Sequence, residues 1–127
     1  VPNYKAPDLG FVHDRMKPDL DGLPRVGSSS TTLGTRPKDI ELVGRMVKPG
    51  NGKSVSGNMV YLPDFKQDPK NGTMFCLPCR TIPPGLTIGM DPKNSGHLLM
   101  QPARPMPESD FTTLLHSTRH YWIDLEP

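Results

Sequence analysis

The stretch VKPGNGKSVSG, residues 47–57, decides which fold the chain can have. Two glycines followed by Lys53 and Ser54 have the look of a phosphate-binding loop. Such a loop requires G-x-x-x-x-G-K-[ST] between a strand and a helix. Gly52, Lys53 and Ser54 supply the end of that motif, but Val47 stands where its first glycine belongs. Pro49 has no N–H to offer a phosphate. The next residues, SVSGNMVYLP, contain Gly57 and Pro63, so they cannot be the long helix whose N-terminus would hold the anion. The alternative is a tight glycine turn leading into a strand that starts with Ser54-Val55-Ser56.

Working outward, the rest of the chain agrees with short strands. At 127 residues it reads as one domain, with 16 prolines and 12 glycines in no repeating period. Few windows are free of proline for three helical turns, which excludes a mostly helical architecture. Residues 1–22, with prolines at 2, 7 and 18, read as an extended arm on the surface, and 23–127 as the domain proper. Leu23 to Gly27 is a short strand candidate, and KDIELVGRMVKP a turn of helix followed by a short strand.

Turn chemistry predicts two hairpins. NMVYLPDF reads as a strand cut by Pro63, joined to TMFCLP through the Asn71-Gly72 turn signal. Leu86 to Met90 and His97 to Gln101 read as the second pair, joined through DPKNSG. The two hairpins are expected in one sheet, with His97 beside the strand at 54–62. The final segment changes period. A helix begins at Met106 or Pro107, with Glu108 and Asp110 complementing its dipole and Phe111, Leu114, Leu115 and Thr118 on one face. Tyr121, Trp122 and Ile123 then fold back on the sheet.

The cysteines form CLPC, Cys76 and Cys79. A zinc site would need two more ligands, and about 36 residues separate Cys79 from His116, the start of the His116/His120 pair. A redox motif should open a helix, yet Arg80-Thr81-Ile82 runs into two prolines. The pair reads as two thiols at the end of a strand, in a reducing compartment. No metal site is expected. A net charge of +2 without a basic stripe does not indicate nucleic acid. No apolar run approaches the ~20 residues of a membrane span. Val1 is not an initiator methionine, as in a processed or trimmed piece.

Three stretches, GRMVKPGNGKSVSG, TIPPGLTIGMD and above all HLLMQPARPMPESDF, resemble the type VI secretion effector toxins of the Tse-two family. Arg36, Pro37, Asp39 and Ile40 precede the turn ending in Ser-Val; His97 starts a strand that ends in Pro102, Ala103, Arg104, Pro105 and Met106. The likeness runs from Arg36 to Trp122, roughly two thirds of the chain. The family's early Leu-x-Arg strand falls on Leu23-Pro24-Arg25. Lys53 departs from the small or hydroxyl residue often found there, and no Glu-x-Glu stands near the third motif.

The resemblance implies an α+β fold of ADP-ribosyltransferase type: a small split antiparallel sheet with few short helices. It implies a toxin that transfers ADP-ribose from NAD to an acceptor in the cytoplasm of the producing or target cell, with an immunity protein as a further partner. Arg25 would hold the pyrophosphate of NAD, with Lys53 adding a phosphate contact. Ser54 and Ser56 would position the nicotinamide ribose. Ser54 and His97 would be the catalytic pair, His97 hydrogen-bonding the ribose or nicotinamide as their bond lengthens toward a cation-like transition state. The alternative is a non-catalytic protein-binding module that uses the same cleft.

Overall fold

The structure, a computed structural model, describes residues 10–27, 42–92 and 97–126. Its strands are β1 (Phe11–Met16), β2 (Leu42–Val43), β3 (Met46–Val47), β4 (Lys53–Val55), β5 (Thr73–Pro78), β6 (Leu86–Met90), β7 (Leu98–Pro102), β8 (Met106–Pro107) and β9 (Ile123–Asp124); the helix is α1 (Glu108–Ser117). Three antiparallel sheets result, ordered β1-β5-β9, β2-β3-β8 and β4-β7-β6. The fold is α+β, as expected.

The opening stretch does become a turn and a strand. Asn51 N–H donates to the Lys48 carbonyl, and the Gln101 side chain accepts from the Gly50 N–H at 2.7 Å. Gly52 then passes so close to β7 that a Cβ there would overlap the Met100 carbonyl oxygen. These glycines serve backbone approach, and β4 comes where a phosphate loop would need a helix.

The β6–β7 hairpin forms as expected, with Met90 opposite Leu98 and Leu86 opposite Pro102; its second strand runs one residue later than His97 to Gln101. Its turn, 93–96, lies outside the described residues. The helix also forms as its signals predict. Pro107 precedes it, Glu108 and Asp110 occupy the first turn, and Phe111 and Leu115 are buried. Past its end Trp122 is buried and β9 returns to pair with β5, while Tyr121 and Ile123 stay exposed.

Three expectations are corrected. Residues 11–16 are no surface arm: β1 pairs along its whole length with β5 and buries Val12, Asp14 and Met16. Residues 59–65 are not a strand. Asn58 accepts from the Val60 N–H and Asp68 from the Lys70 N–H, and these caps start 3₁₀ turns at Met59–Tyr61 and Pro69–Asn71, with another at Asp64–Gln67 between them. The Asn71-Gly72 pair closes the last of these turns instead of a hairpin. β5 pairs instead with β1 and β9, so the two expected hairpins do not share one sheet.

Leu23 to Gly27 forms only a bridge from Pro24 to Pro18, and Gly27 packs against α1, where a Cβ would overlap the His116 backbone. Of KDIELVGRMVKP, residues 38–41 lie outside the described residues; the rest is the β2–β3 hairpin. Gly44 and Arg45 at its turn have φ of 59° and 65°, the left-handed pair that suits a two-residue hairpin. The core between the sheets and α1 contains Val12, Val26, Val47, Val55, Phe75, Leu77, Leu98, Met100, Phe111, Leu115 and Trp122. Each such side chain stabilises the fold by roughly 1.5–3 kcal/mol when fully buried.

Candidate functional site

Two of the sheets meet at one place. His13 N–H donates to the Ser56 carbonyl at 2.6 Å, and Ser56 N–H donates back at 2.9 Å. Among the described residues this bridge is the only backbone pairing between the β1-β5-β9 and β4-β7-β6 sheets.

Directly opposed residues of an antiparallel pair share a face, and successive residues alternate. Ser54 lies opposite Leu99 and Val55 opposite Leu98, so the same register continued brings Ser56 opposite His97. Ser54, Ser56, His97 and His13 therefore belong to one face at the join. Ser54 and His97 are half-buried. Ser56 is buried; its hydroxyl donates to the Asn58 carbonyl at 2.7 Å. His97 holds the strand end through its carbonyl, which accepts from the Asp91 N–H at 3.0 Å.

Lys53 is a correction. It is one residue from Ser54 and so faces the other way, into the core, where its side chain is 0% exposed. Its ammonium donates to Asp14 Oδ2, while Lys66 Nζ donates to Asp14 Oδ1 at 2.5 Å. The Trp122 ring lies beside it, 5.9 Å from Nζ to the ring centroid, and the indole N–H donates to Thr118 Oγ1 at 3.0 Å. Burial above all, with some repulsion from Lys66, pulls the Lys53 pKa below the ordinary lysine value; Asp14 opposes the shift. Sealed in this cluster, the ammonium offers no contact to a phosphate in solution.

Arg25 is 52% exposed and donates from Nε to Asp19 Oδ1 at 3.1 Å. Its backbone pairs with Lys17, four residues along the chain from His13 and about 13 Å away at strand spacing. The structure thus groups the two serines with His97 and sets Arg25 apart from them.

Sequence reasoning missed His13, Asp14 and Arg15. Asp14 is 0% exposed. Arg15 donates to the Lys66 and Gly72 carbonyls at 2.6 and 2.8 Å and makes a two-pronged pair with Glu126. His13 Nδ1 is buried without a hydrogen-bond partner. Burial lowers the His13 pKa, against a weaker opposing pull from the Ser56 and Gly57 carbonyls. The available signal was Phe11-Val12 with Met16 in a window free of proline and glycine; the charged run His-Asp-Arg concealed it.

Cys76 and Cys79 are free thiols, at and just past the end region of β5, and burial raises both pKa values. Among the described residues no three His, Cys, Asp or Glu side chains gather as metal ligands. No described helix is long and apolar enough to cross a membrane. A shallow groove of about 600 Å³ lies elsewhere, between Arg80–Pro84 and Ser117/Tyr121, and none of the expected site residues lines it. No protein-family model, no curated protein and no solved structure matches the chain.

Proposed function

We propose that the face at the join is the nicotinamide-ribose end of an ADP-ribosyltransferase-like NAD cleft, and that the protein is a toxin transferring ADP-ribose to an acceptor in a target cell. The observation that carries this reading is the strand register that brings Ser54, Ser56 and His97 to one face where two sheets are bridged. Ser54 and Ser56 orient the ribose hydroxyls. The His97 ring, donating at one nitrogen and accepting at the other, orients the ribose or carboxamide as the glycosidic bond lengthens. The phosphates bind without Lys53, and Arg25 reaches them only by leaving Asp19.

NAD bound only by the folded chain must raise its melting temperature. At about a hundred times Kd the added stability is about 2.7 kcal/mol, several degrees for a chain of this size. His97→Phe keeps the ring's bulk and should remain folded, since one hydrogen bond contributes about 1 kcal/mol. It should lose the NAD-dependent shift and toxicity on expression. A melting temperature indifferent to NAD removes the reading.

The second reading is the non-catalytic protein-binding module. It is favoured by Met59, Val60, Tyr61 and Phe65, exposed at 40, 71, 50 and 49% within one short run. A binding module would keep full activity in His97→Phe, which separates the two readings.

A further inference from the structure

Among the described residues a histidine occupies the one backbone crossing between two sheets, and its buried Nδ1 has no partner there. A neutral ring can leave one nitrogen as a bare lone pair. An imidazolium carries N–H on both nitrogens, so protonation would place a charged donor without an acceptor inside the joint.

The groups around the ring give it little relief: the Ser56 and Gly57 carbonyls favour the protonated form, and burial outweighs them. Across β5 in register lies the Cys76 thiol, protonated because burial raises its pKa. On the other side are Ser56 and Asn58, both neutral and bonded to each other. Beyond Ser56 in register stands His97, which brings no carboxylate to the joint. On its own strand Asp14 is saturated by Lys53 from β4 and Lys66 from the 3₁₀ turn Asp64–Gln67, and Arg15 is closed by Glu126. Three cations thus stand against two carboxylates that are already engaged.

We propose that His13 is an acid-sensitive latch between the two sheets: neutral, it holds β1 against Ser56; protonated, it parts them. This stands independently of the NAD reading. The sign comes from proton binding. Parted, the ring titrates near the ordinary 6.5; closed, burial holds it lower. The parted joint therefore binds more protons, and the closed form loses up to about tenfold in population per pH unit below 6.5.

Trp122 reports on the joint, being the only tryptophan and packed beside Lys53 on the core side. In the full chain its emission should shift to the red as pH falls from about 7 to about 5, with far-UV circular dichroism retained. The shift should vanish in His13→Gln and persist in His97→Gln. Should His13→Gln not fold, the His13 ring-proton titration in the unaltered chain still decides, and a pKa below 6.5 is expected. The latch is overturned by constant emission over that range, by an unchanged transition in His13→Gln, by a ring pKa at or above 6.5, or by secondary structure collapsing together with the emission.

Discussion

Lys53 and Ser54 are neighbours with opposite fates, and the period of a strand is the reason. A shift of one residue moves a side chain to the other face. The Ser-x-Ser pattern was legible because residues two apart share a face whatever that face is. Which face is the core was not legible, since nothing in GKSVSG distinguishes inward from outward except Val55, and Lys53 goes with it. The buried cluster this creates has a definite energetic signature. Lys53→Ala leaves Asp14 with Lys66 alone and should cost about 3–5 kcal/mol in urea unfolding, the penalty of a buried charge that has lost a partner. Replacing both members of the pair, Asp14→Leu with Lys53→Met, removes the charges that had to be desolvated. It should be far milder than the single change, neutral or even stabilising. A double variant as unstable as the sum of the two single changes would show that the pair is not buried as described. The same burial predicts no magnesium-dependent ATP binding by calorimetry.

Elements were legible where local chemistry set them. The β6–β7 hairpin follows two prolines and has the polar sequence DPKNSG between its strands, and α1 has acidic residues at its start and apolar residues at helical spacing. Residues 59–65 misled because their apolar side chains invite a strand, whereas Asn58, Pro63 and Asp68 supply the caps and breaks of 3₁₀ turns. Those side chains remain exposed, so burial offered no opposing gain. The strand β1 was hidden for the converse reason: its charged residues are paired by partners more than 35 residues away, which no local pattern reveals. The entry to β4 allows a clean test of element packing. An alanine Cβ at Gly52 would overlap the Met100 carbonyl, and a backbone atom in a sheet cannot yield as a flexible side-chain tip does. Gly52→Ala should push β4 off β7 and cost more than about 2 kcal/mol. At Gly10 an added Cβ meets nothing within 4 Å, so Gly10→Ala should lie within about 0.5 kcal/mol of the parent. Equal stabilities for the two variants would contradict the close approach of β4 to β7.

At the scale of the whole molecule, strand order depends on contacts between the two ends of the described chain, and these were the least legible of all. Arg15 and Glu126 are 111 residues apart, yet their pair joins β1 to the segment just after β9 across the intervening β5. Glu126 accepts from Arg15 Nη1 at 2.8 Å and from the Met74 N–H at 2.9 Å. These bonds favour its ionised form, Arg15 foremost, and hold its pKa below the ordinary carboxylate value. A carboxyl with a depressed folded pKa stabilises the fold fully above its unfolded value, about 4.3, and the contribution is lost as pH falls through the folded pKa. This acid window lies below the His13 window, which opens under pH 6.5, so the two separate in a pH series. Glu126→Gln keeps an oxygen to accept one bond and removes the charge. The variant should be less stable than the parent at about pH 7, and the gap should narrow as pH falls below about 4.3 and the parent's carboxyl takes up a proton. Because Glu126 is solvent-exposed, screening makes the gap shrink further as salt is added. Urea unfolding of both proteins across pH and ionic strength measures it. A gap that narrows neither with acid nor with salt would mean that Glu126 acts through shape alone, and that charge has no part in tying the chain's end to β1.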